Sequence, residues 1–271
     1  MRYAINLPNF GEFADVRTLA ELAAAAETGG WDGFFIWDHL AAGWDPGQSL
    51  PPTADVTVAL TAIALRTERL RFGAMVTPLP RRRVQKVARE LASLDRLSNG
   101  RVVCGVGLGY PPGAEYEAFG EDGSDIGRAE RLDESLEVLT ALWLGDRVDF
   151  DGKHVRTHTS AFVPTPVQEP RIPIWVAATW PGRRGPLRRA ARFDGVFPMP
   201  PDAMETFIRP DDVRELRAEI GRDDGFDIVV NGGPDADLGA FAAAGVTWWI
   251  EGAFTREDAL QRATAGPPRV P

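Results

Sequence analysis

The strongest constraint on the fold of this chain is a regular alternation between short apolar runs and segments in which apolar residues recur every three or four positions. The apolar runs lie at residues 2–10, 32–41, 69–79, 101–109, 171–179, 195–199, 226–232 and 247–252. Segments of helical period follow them at residues 15–30, 55–67, 81–100, 127–145, 181–194, 202–221, 235–245 and 255–266. Such alternation indicates parallel strands joined by right-handed helical crossovers.

Eight strand–helix units favour a closed barrel over an open doubly wound sheet. An open sheet more usually has a Gly-rich dinucleotide turn after its first strand, whereas the first turn here is LPNFGEF. The length of 271 residues suits a barrel, which commonly needs about 250. We therefore predict an α/β fold in which residues 1–271 form a single (β/α)8 TIM-barrel domain. A polar excursion after the fourth helix, at residues 146–166, is predicted to be a long loop or small hairpin.

Bulk properties narrow the classes of partner and location. The formal net charge of −9 disfavours nucleic acid, because nucleic-acid binding needs a basic face. No run approaches the roughly 18 apolar residues of a membrane span, and the N-terminal MRYAINLPNF lacks the long apolar core of a signal peptide. We expect no membrane association and a cytoplasmic location. The single cysteine, Cys104, lies in an apolar run and is predicted to be a buried core residue.

The residues that follow the strands identify where the chemistry should lie, because the C-terminal ends of barrel strands share one mouth. The second run, DGFFIWDHLA, ends in two ionisable groups, Asp38 and His39. The full set at the strand ends is Asn6, Asn9, Asp38, His39, Met75, Val76, Thr77, Gly107, Gly109, Tyr110, Thr179, Trp180, Met199, Asn231 and Glu251. This mouth is aromatic, rich in glycine and thinly charged, so it suits a flat aromatic ligand. With three histidines in the whole chain, a metal site is not expected.

Two features of the mouth point to a ligand, and each has a structural alternative. His39 is either a catalytic imidazole, with Asp38 holding it in position, or a histidine satisfied by neighbouring groups. The turn TWPGRRG after the fifth strand opens a helix beside Arg183 and Arg184, so it either docks a phosphate or is a solvated basic helix start. The glycines of GVGLG would let a ring lie close to the backbone.

Several blocks of the sequence resemble the luciferase-like monooxygenase superfamily of flavin- and deazaflavin-dependent enzymes. These blocks are FFIWDHL, RFGAMVTPLPRRRVQKVARELASLDRLSNGR, VVCGVGLGYPPGAEYEAFG, RAERLDESLEVLTALW and PIWVAATWPGRRGPLRRAARFDGVFP. They occur in the family's order and spacing over roughly the first 200 residues. The run from LASLD through LSNGR to GVGLG is the most specific part.

The resemblance implies a barrel that binds FMN or coenzyme F420 at its mouth, with the ring above the barrel centre. It places a non-prolyl cis peptide within residues 74–76, most specifically between Met75 and Val76, and it maps the family's Asp–His pair onto Asp38 and His39 as catalytic residues. The cofactor-binding residues that it implies are Met75, Val76, Thr77, Gly107, Gly109, Ala178, Thr179, Trp180, Gly182, Arg183 and Arg184. Trp44 and Tyr110 are candidates for the substrate pocket.

The resemblance also implies the function class and the partners. We expect an oxidoreductase that acts on a small organic substrate by hydride transfer or by O2-dependent monooxygenation, as a homodimer, with a flavin reductase supplying reduced cofactor. The alternatives are a cofactor-binding barrel that has lost catalysis, and a barrel hydrolase or isomerase of another superfamily. Residues 200–235 lack the long insertion common in the family, and WPGRRGP is not the plain Gly-rich phosphate turn, so the choice between FMN and F420 stays open.

Overall fold

The computed structural model describes residues 1–43, 49–202, 206–222, 225–233 and 235–268. In these ranges nine strands pair in parallel in one sheet. They are β1 (Arg2–Leu7), β2 (Gly33–Ile36), β3 (Arg71–Ala74), β4 (Thr77–Pro78), β5 (Cys104–Gly107), β8 (Ile174–Thr179), β9 (Gly195–Met199), β10 (Asp227–Asn231) and β11 (Trp248–Gly252). Two further strands, β6 (Val148–Asp151) and β7 (Arg156–Thr159), form a separate antiparallel hairpin.

The sheet closes into a barrel at residues 69–79, the run that was predicted as the third strand. The strand order is β3-β2-β1-β11-β10-β9-β8-β5-β4, so β3 and β4 occupy its two ends. These two are halves of one run, separated by Met75 and Val76, which are joined by a cis peptide bond. The Val103 N–H donates to the Phe72 carbonyl at 2.9 Å, which links β3 to the segment that leads into β5. The predicted (β/α)8 barrel and the predicted position of the cis peptide are both confirmed.

Helices cover the outside of the barrel. They are α1 (Val16–Gly29), α2 (Val56–Arg66), α3 (Val84–Leu97), α4 (Pro112–Glu115), α5 (Asp125–Trp143), α6 (Arg184–Ala190), α7 (Pro210–Ile220), α8 (Leu238–Ala244) and α9 (Arg256–Ala265). Asp15, Asp55, Ser124, Asp237 and Thr255 each cap a helix by accepting a backbone N–H of its first turn. The predicted helix over 202–221 begins later, at Pro210, because proline is favoured in the first turn, where its missing N–H costs nothing.

Strand alternation divides the apolar side chains between an inner and an outer core. The inner core, inside the barrel, consists of Ala4, Phe35, Met75, Val103, Trp175, Phe197, Val229, Trp248 and Ile250. The outer core lies between sheet and helices and includes Phe34, Ile36 and Cys104. Cys104 is 2% exposed, which confirms it as a core residue, and this burial raises the pKa of its thiol to about 12. Each buried large apolar side chain contributes about 1.5–3 kcal/mol.

The polar excursion contains the β6–β7 hairpin, which follows α5. Glu134 of α5 accepts the backbone N–H groups of Lys153, His154 and Val155 at 2.8–2.9 Å. This single carboxylate therefore anchors the turn of the hairpin to the helix. Within the described ranges, no helix is both long enough and apolar enough to cross a bilayer.

Candidate active site

Asp38 and His39 follow the end of β2, and their side chains engage different partners. The Trp37 N–H still donates to the Leu7 carbonyl at 2.9 Å, so the extended course of β2 continues beyond Ile36. Phe35 lies in the inner core, and two residues later Trp37 begins the wall of the mouth. The ring of His39 lies 5.8 Å from that of Trp37, centroid to centroid. Asp38 is buried, with 7% of the residue exposed.

The carboxylate of Asp38 is held by two arginines from the segment after β4. Nη2 of Arg81 donates to Oδ1 at 2.9 Å and to the Asp38 carbonyl at 2.7 Å, and Nη1 of Arg82 donates to Oδ2 at 3.0 Å. Burial raises the pKa of Asp38, and the two guanidinium charges act in the opposite direction. Both carboxylate oxygens are therefore committed to arginines. The prediction that Asp38 holds the imidazole of His39 in position is wrong.

Glu115, at the end of α4, takes that position instead. Nδ1 of His39 lies 2.9 Å from Oε1 of Glu115, whose side chain is 1% exposed. Oε2 accepts the Leu40 N–H at 3.0 Å and a hydrogen bond from Nη1 of Arg81. Burial alone would raise the pKa of Glu115, but the hydrogen bonds from His39 and Leu40 and the charge of Arg81 outweigh it and lower that pKa. The carboxylate is ionised at neutral pH, so Nδ1 of His39 is the donor.

The main chain of His39 is fixed by a second buried side chain, Asn9, in the loop after β1. The His39 N–H donates to Oδ1 of Asn9 at 3.1 Å. The amide nitrogen of Asn9 donates to the carbonyls of His39 at 2.9 Å and of Ala54 at 2.8 Å. Asn9 is fully buried. Ring and backbone of His39 are thus both held by groups that water does not reach.

Aromatic rings complete the wall of the mouth around His39. Phe10 meets the imidazole edge to face, with centroids 5.4 Å apart. Trp37 contacts Phe10 and Phe254, each at 5.9 Å between centroids. Phe254, which follows β11, is 63% exposed. The ends of β11, β1 and β2 therefore present an aromatic surface beside one titratable group.

The floor of the mouth is apolar and glycine-lined. Val76 and Ala177 are partly buried and close the top of the inner core. A Cβ added at Gly107 would lie 2.7 Å from Val76 Cγ2 and 3.3 Å from Ala177 Cβ, so glycine is required for this packing. Oδ1 of Asn6, at the end of β1, is buried, and no described group hydrogen-bonds to it. An apolar floor with one orphan acceptor fits the flat ring of a flavin or deazaflavin, whose edges carry polar groups.

Strand alternation also corrects part of the predicted cofactor site. Thr179 is exposed at the end of β8, but Ala178 and Trp180 pack in the outer core. Nε1 of Trp180 donates to the Asp212 carbonyl at 2.8 Å, so the indole is anchored to α7. The side chains of Ala178 and Trp180 therefore face the helices rather than the mouth. Glu251 likewise faces outward and pairs with Arg262 of α9 at 3.0 Å.

The predicted phosphate turn is exposed. Gly182 has φ +144°, a conformation that favours glycine. The side chains of Arg183 and Arg184 are 75% and 68% exposed and pair with Asp125 at 3.3 Å and Glu219 at 3.2 Å. Both guanidinium groups are accessible to a ligand from solvent.

The other residues predicted to bind the cofactor or the substrate differ in how deeply they are buried. Met75 belongs to the inner core, and Thr77 is buried in β4. The carbonyl of Gly109 accepts a hydrogen bond from Arg128 at 2.6 Å. Tyr110 is 68% exposed beside it. Trp44 lies outside the described residues.

A cavity of about 410 Å³ adjoins the His39 network. Asp38, His39, Arg81, Arg82 and Glu115 line it, together with Phe119 and Glu121. A second cavity, of about 430 Å³, lies where β1, β3 and β11 begin and is lined by Arg2, Arg71 and Trp248. Because barrel enzymes keep their chemistry at the C-terminal ends of the strands, the first cavity is the one that adjoins the candidate site, and Val76, Gly107 and Ala177 of the floor do not line it. The described residues contain no group of three or more His, Cys, Asp or Glu placed to hold a metal ion.

The sequence interpretation missed three members of this network, Arg81, Arg82 and Glu115. Arg81 and Arg82 stood in the RRR run and Glu115 in GAEYEAFG, without assigned roles. Glu117 and Glu121, close by in sequence, are exposed. No local signal distinguishes the buried glutamate from these two.

Comparisons with known proteins give one family. The sequence model described as luciferase-like monooxygenase matches residues 1–237. An F420-dependent glucose-6-phosphate dehydrogenase of Nocardia farcinica (strain IFM 10152) is 35% identical over 168 residues, which are 61% of this chain and 48% of that protein. The chain thus spans about half the length of that relative.

Among solved structures, the chain is similar to the coenzyme F420-dependent tetrahydromethanopterin reductase from Methanopyrus kandleri. The TM-score is 0.74 at 19% identity, with 96% of each chain covered. Monooxygenase RslO1 from Streptomyces bottropensis has a TM-score of 0.72 at 20% identity and covers 97% of this chain and 96% of its own. At these identities the similarity establishes the shared barrel fold.

Proposed function

Because this chain belongs to the luciferase-like monooxygenase family, we propose that it is an oxidoreductase that binds FMN or coenzyme F420 at the barrel mouth and acts on a small organic substrate. The observation that carries the proposal is that an imidazole held by Glu115 and an apolar, glycine-lined floor both lie at the C-terminal ends of the barrel strands. Two of the relatives described above are named as F420-dependent and one as a monooxygenase. Their names support F420 as a cofactor, and they support both hydride transfer and monooxygenation as reaction types.

The chain's own residues would bind and orient the cofactor. When bound, the cofactor supplies either hydride transfer or the activation of O2. Val76, Ala177 and Gly107 would support the ring from below, and Asn6 would offer its unpaired oxygen to a donor on the ring. Arg183 and Arg184 would contact a phosphate from the opposite side of the mouth, through charge-assisted hydrogen bonds.

His39 would move a proton. Nδ1 lies 2.9 Å from Oε1 of Glu115, which would hold the imidazole in position while His39 exchanges a proton with the substrate. The aromatic wall of Phe10, Trp37 and Phe254 would exclude water on that side. Asp38 would act indirectly, because it helps to hold Arg81 in place.

Visible absorbance of the purified protein after addition of FMN or F420 tests cofactor binding and distinguishes the two. Binding of one of them is expected, and binding of neither would contradict the proposal. A requirement for O2 in turnover would then separate monooxygenation from hydride transfer.

His39→Ala tests the role of the imidazole. The single-turnover rate should fall by about 10²- to 10⁴-fold, while cofactor affinity stays within a few fold. His158→Ala is the matched control, because His158 lies on β7 and pairs with Asp149 and Asp151 of β6, away from the mouth. A normal rate in a folded His39→Ala protein that binds cofactor would instead favour a barrel that has lost this chemistry.

The remaining predictions stay part of the proposal: one domain over residues 1–271, a cytoplasmic location, a flavin reductase as supplier of reduced cofactor, and a homodimer. Val58 and Leu65 support the homodimer, since they stand seven residues apart on α2 and are 55% and 70% exposed. Sedimentation that shows only monomer at micromolar concentration would count against the homodimer.

A further inference from the structure

We propose that the cavity of about 430 Å³ at the N-terminal end of the barrel binds a phosphate group, either as free phosphate or as a small phosphate monoester. Arg2, Arg71 and Trp248 line this cavity at the starts of β1, β3 and β11. The mouth lies at the other end of the same strands, so this site is separate from the proposed cofactor and substrate sites. Because barrel enzymes keep their chemistry at the mouth, we assign the cavity a binding role and no catalytic step.

Strand alternation directs three of the lining side chains toward the barrel interior. Trp248 itself belongs to the inner core. Ala4 is also an inner-core residue, so Arg2, two residues earlier on β1, faces the same side. Phe72 belongs to the outer core, so its neighbour Arg71 on β3 faces inward. Two guanidinium groups and one indole therefore converge on the N-terminal opening.

The lining carries more cationic than anionic groups. Three arginines, Arg2, Arg69 and Arg71, face two carboxylates, Glu27 and Asp32. Oε1 of Glu27 accepts the backbone N–H of Arg69 at 2.6 Å, and Oδ2 of Asp32 accepts a backbone N–H of β1 at 2.9 Å. Arg2 and Arg69 are exposed, and neither forms an ion pair within the described ranges. Their guanidinium groups are accessible to an anion from solvent.

Arg71 is the cation that most needs a counter-charge. Its Nη2 donates to a neutral group, Oε1 of Gln168, at 3.1 Å, and its Nε is buried with no hydrogen-bond acceptor among the described residues. Burial lowers the pKa of Arg71 and the charge of Arg2 acts in the same direction, whereas Asp227 and Asp95 oppose them. Both of these carboxylates already accept hydrogen bonds from other groups. A bound anion would supply the charge that they do not.

Trp248 adds a second unmatched donor at this end of the barrel. The residue is 1% exposed, and its Nε1 hydrogen-bonds to no group that the structure describes. Trp175, whose ring centroid lies 5.2 Å away, instead donates from Nε1 to Asp227 at 3.1 Å. The guanidinium of Arg2 lies over the Trp248 ring, 5.2 Å from its centroid. The excess of donors over acceptors favours negative charge in the cavity.

The donor set favours phosphate over a carboxylate. Guanidinium groups bind phosphate oxygens through paired, charge-assisted hydrogen bonds. A phosphate monoester presents three terminal oxygens to three arginines, whereas a carboxylate presents two oxygens. The cavity is also larger than a phosphate group alone, which leaves room for the organic part of a small monoester.

The test is titration of the purified protein with inorganic phosphate, followed by nitrogen-15 NMR of the indole N–H groups. The sequence has eight tryptophans, and the signal that Trp248→Phe removes is that of Trp248. This signal should shift saturably, because Arg2 would move over the ring as it binds the anion. Sodium chloride at equal ionic strength should not reproduce the shift. An unmoved Trp248 signal at millimolar phosphate would overturn the inference.

Substitutions locate the bound phosphate. Arg71→Met should weaken binding by about 10- to 100-fold, since hydrogen bonds to a charged group are lost. Arg2→Met changes an exposed side chain that the fold does not need, so it should weaken binding without loss of structure. The matched control is the double substitution Arg183→Ala with Arg184→Ala at the mouth, which should leave the Trp248 shift nearly unchanged. If the control abolishes the shift and Arg71→Met and Arg2→Met do not, the inference fails while the proposed function stands.

Two further titrations identify the form of the ligand. Tighter binding of glycerol 3-phosphate than of inorganic phosphate would identify a monoester, and equal binding would identify free phosphate. Acetate should bind more weakly than either, because it has fewer oxygens and a smaller charge. Acetate that binds as tightly as phosphate would overturn the assignment to a phosphate group.

Discussion

Two pairs of adjacent arginines border the mouth, and the structure holds them in opposite ways. The side chains of Arg81 and Arg82 are 5% and 21% exposed, whereas those of Arg183 and Arg184 are 75% and 68% exposed. Arg81 bridges two buried carboxylates, Asp38 and Glu115. Each arginine of the second pair contacts one acidic side chain that water also reaches.

The difference shows that the contribution of an Arg–Arg dipeptide to the free energy of unfolding depends on how deeply its ion pairs are buried. Removal of one partner from a buried ion pair leaves an uncompensated charge out of water, which costs about 3–5 kcal/mol. Exposed pairs contribute about 0–1 kcal/mol, because water and salt screen them. The first pair should therefore determine the shape of the site, and the second should remain available to a ligand.

The largest expected effect is that of Arg81→Met on stability. Asp38 and Glu115 would remain buried without their shared cation, so the free energy of unfolding should fall by about 3–5 kcal/mol. Urea denaturation measures this change. Arg183→Met is the matched control and should shift it by less than about 0.5 kcal/mol. Equal losses from the two substitutions would remove the distinction between the pairs.

The next effect is the pH dependence of the contribution made by Glu115. The pKa of Glu115 is lower in the folded protein than its ordinary value, which is near 4.3. Ionised Glu115 therefore stabilises the fold fully above about pH 4.3. This stabilisation disappears as the pH falls through the lowered pKa. At pH 7, Glu115→Gln should reduce the free energy of unfolding by about 1.5–3 kcal/mol. The gap between the two proteins should narrow below about pH 4. If urea titrations show that the difference in free energy of unfolding between the two proteins widens on acidification, ionised Glu115 does not stabilise the fold.

A smaller effect is expected from Arg183→Ala combined with Arg184→Ala. Loss of charge-assisted contacts to a phosphate should weaken cofactor binding by roughly ten- to a hundred-fold and make binding less dependent on salt. Absorbance titrations at two salt concentrations measure both. The same variant should change the free energy of unfolding by no more than about 0.5 kcal/mol, which is the smallest effect predicted. Unchanged affinity would contradict the placement of the phosphate.

The sequence predicted the barrel because periodicity is a local property. Apolar alternation and helix caps such as Asp15 and Asp55 act within a few residues, so each strand and helix could be assigned from its own segment. The break at Met75–Val76 came from the resemblance to the family rather than from spacing. The late start of α7 at Pro210 could have been found by giving the prolines more weight.

The site was predicted less completely, for two physical reasons. Asp38 was grouped with His39 by proximity in sequence, although its carboxylate is bound by Arg81 and Arg82. Ala178 and Trp180 were grouped with Thr179 in the same way, although neighbours on a strand face opposite sides. The period of two was present in the sequence and would have separated them. Glu115 had no such signal, because its burial depends on Leu40 and Arg81, which come from two other loops.

The burial of Cys104 makes the native chain a ready background for site-specific labelling. It is the one cysteine in the sequence, and with its pKa raised to about 12 the thiol stays protonated and enclosed at neutral pH. Maleimide reagents, which need an accessible thiolate, should therefore leave the folded protein unmodified. A cysteine introduced at Phe254, 63% exposed at the edge of the mouth, would be the sole reactive thiol. A fluorophore attached there would report directly on ligand entry, without removal of any native residue from the core.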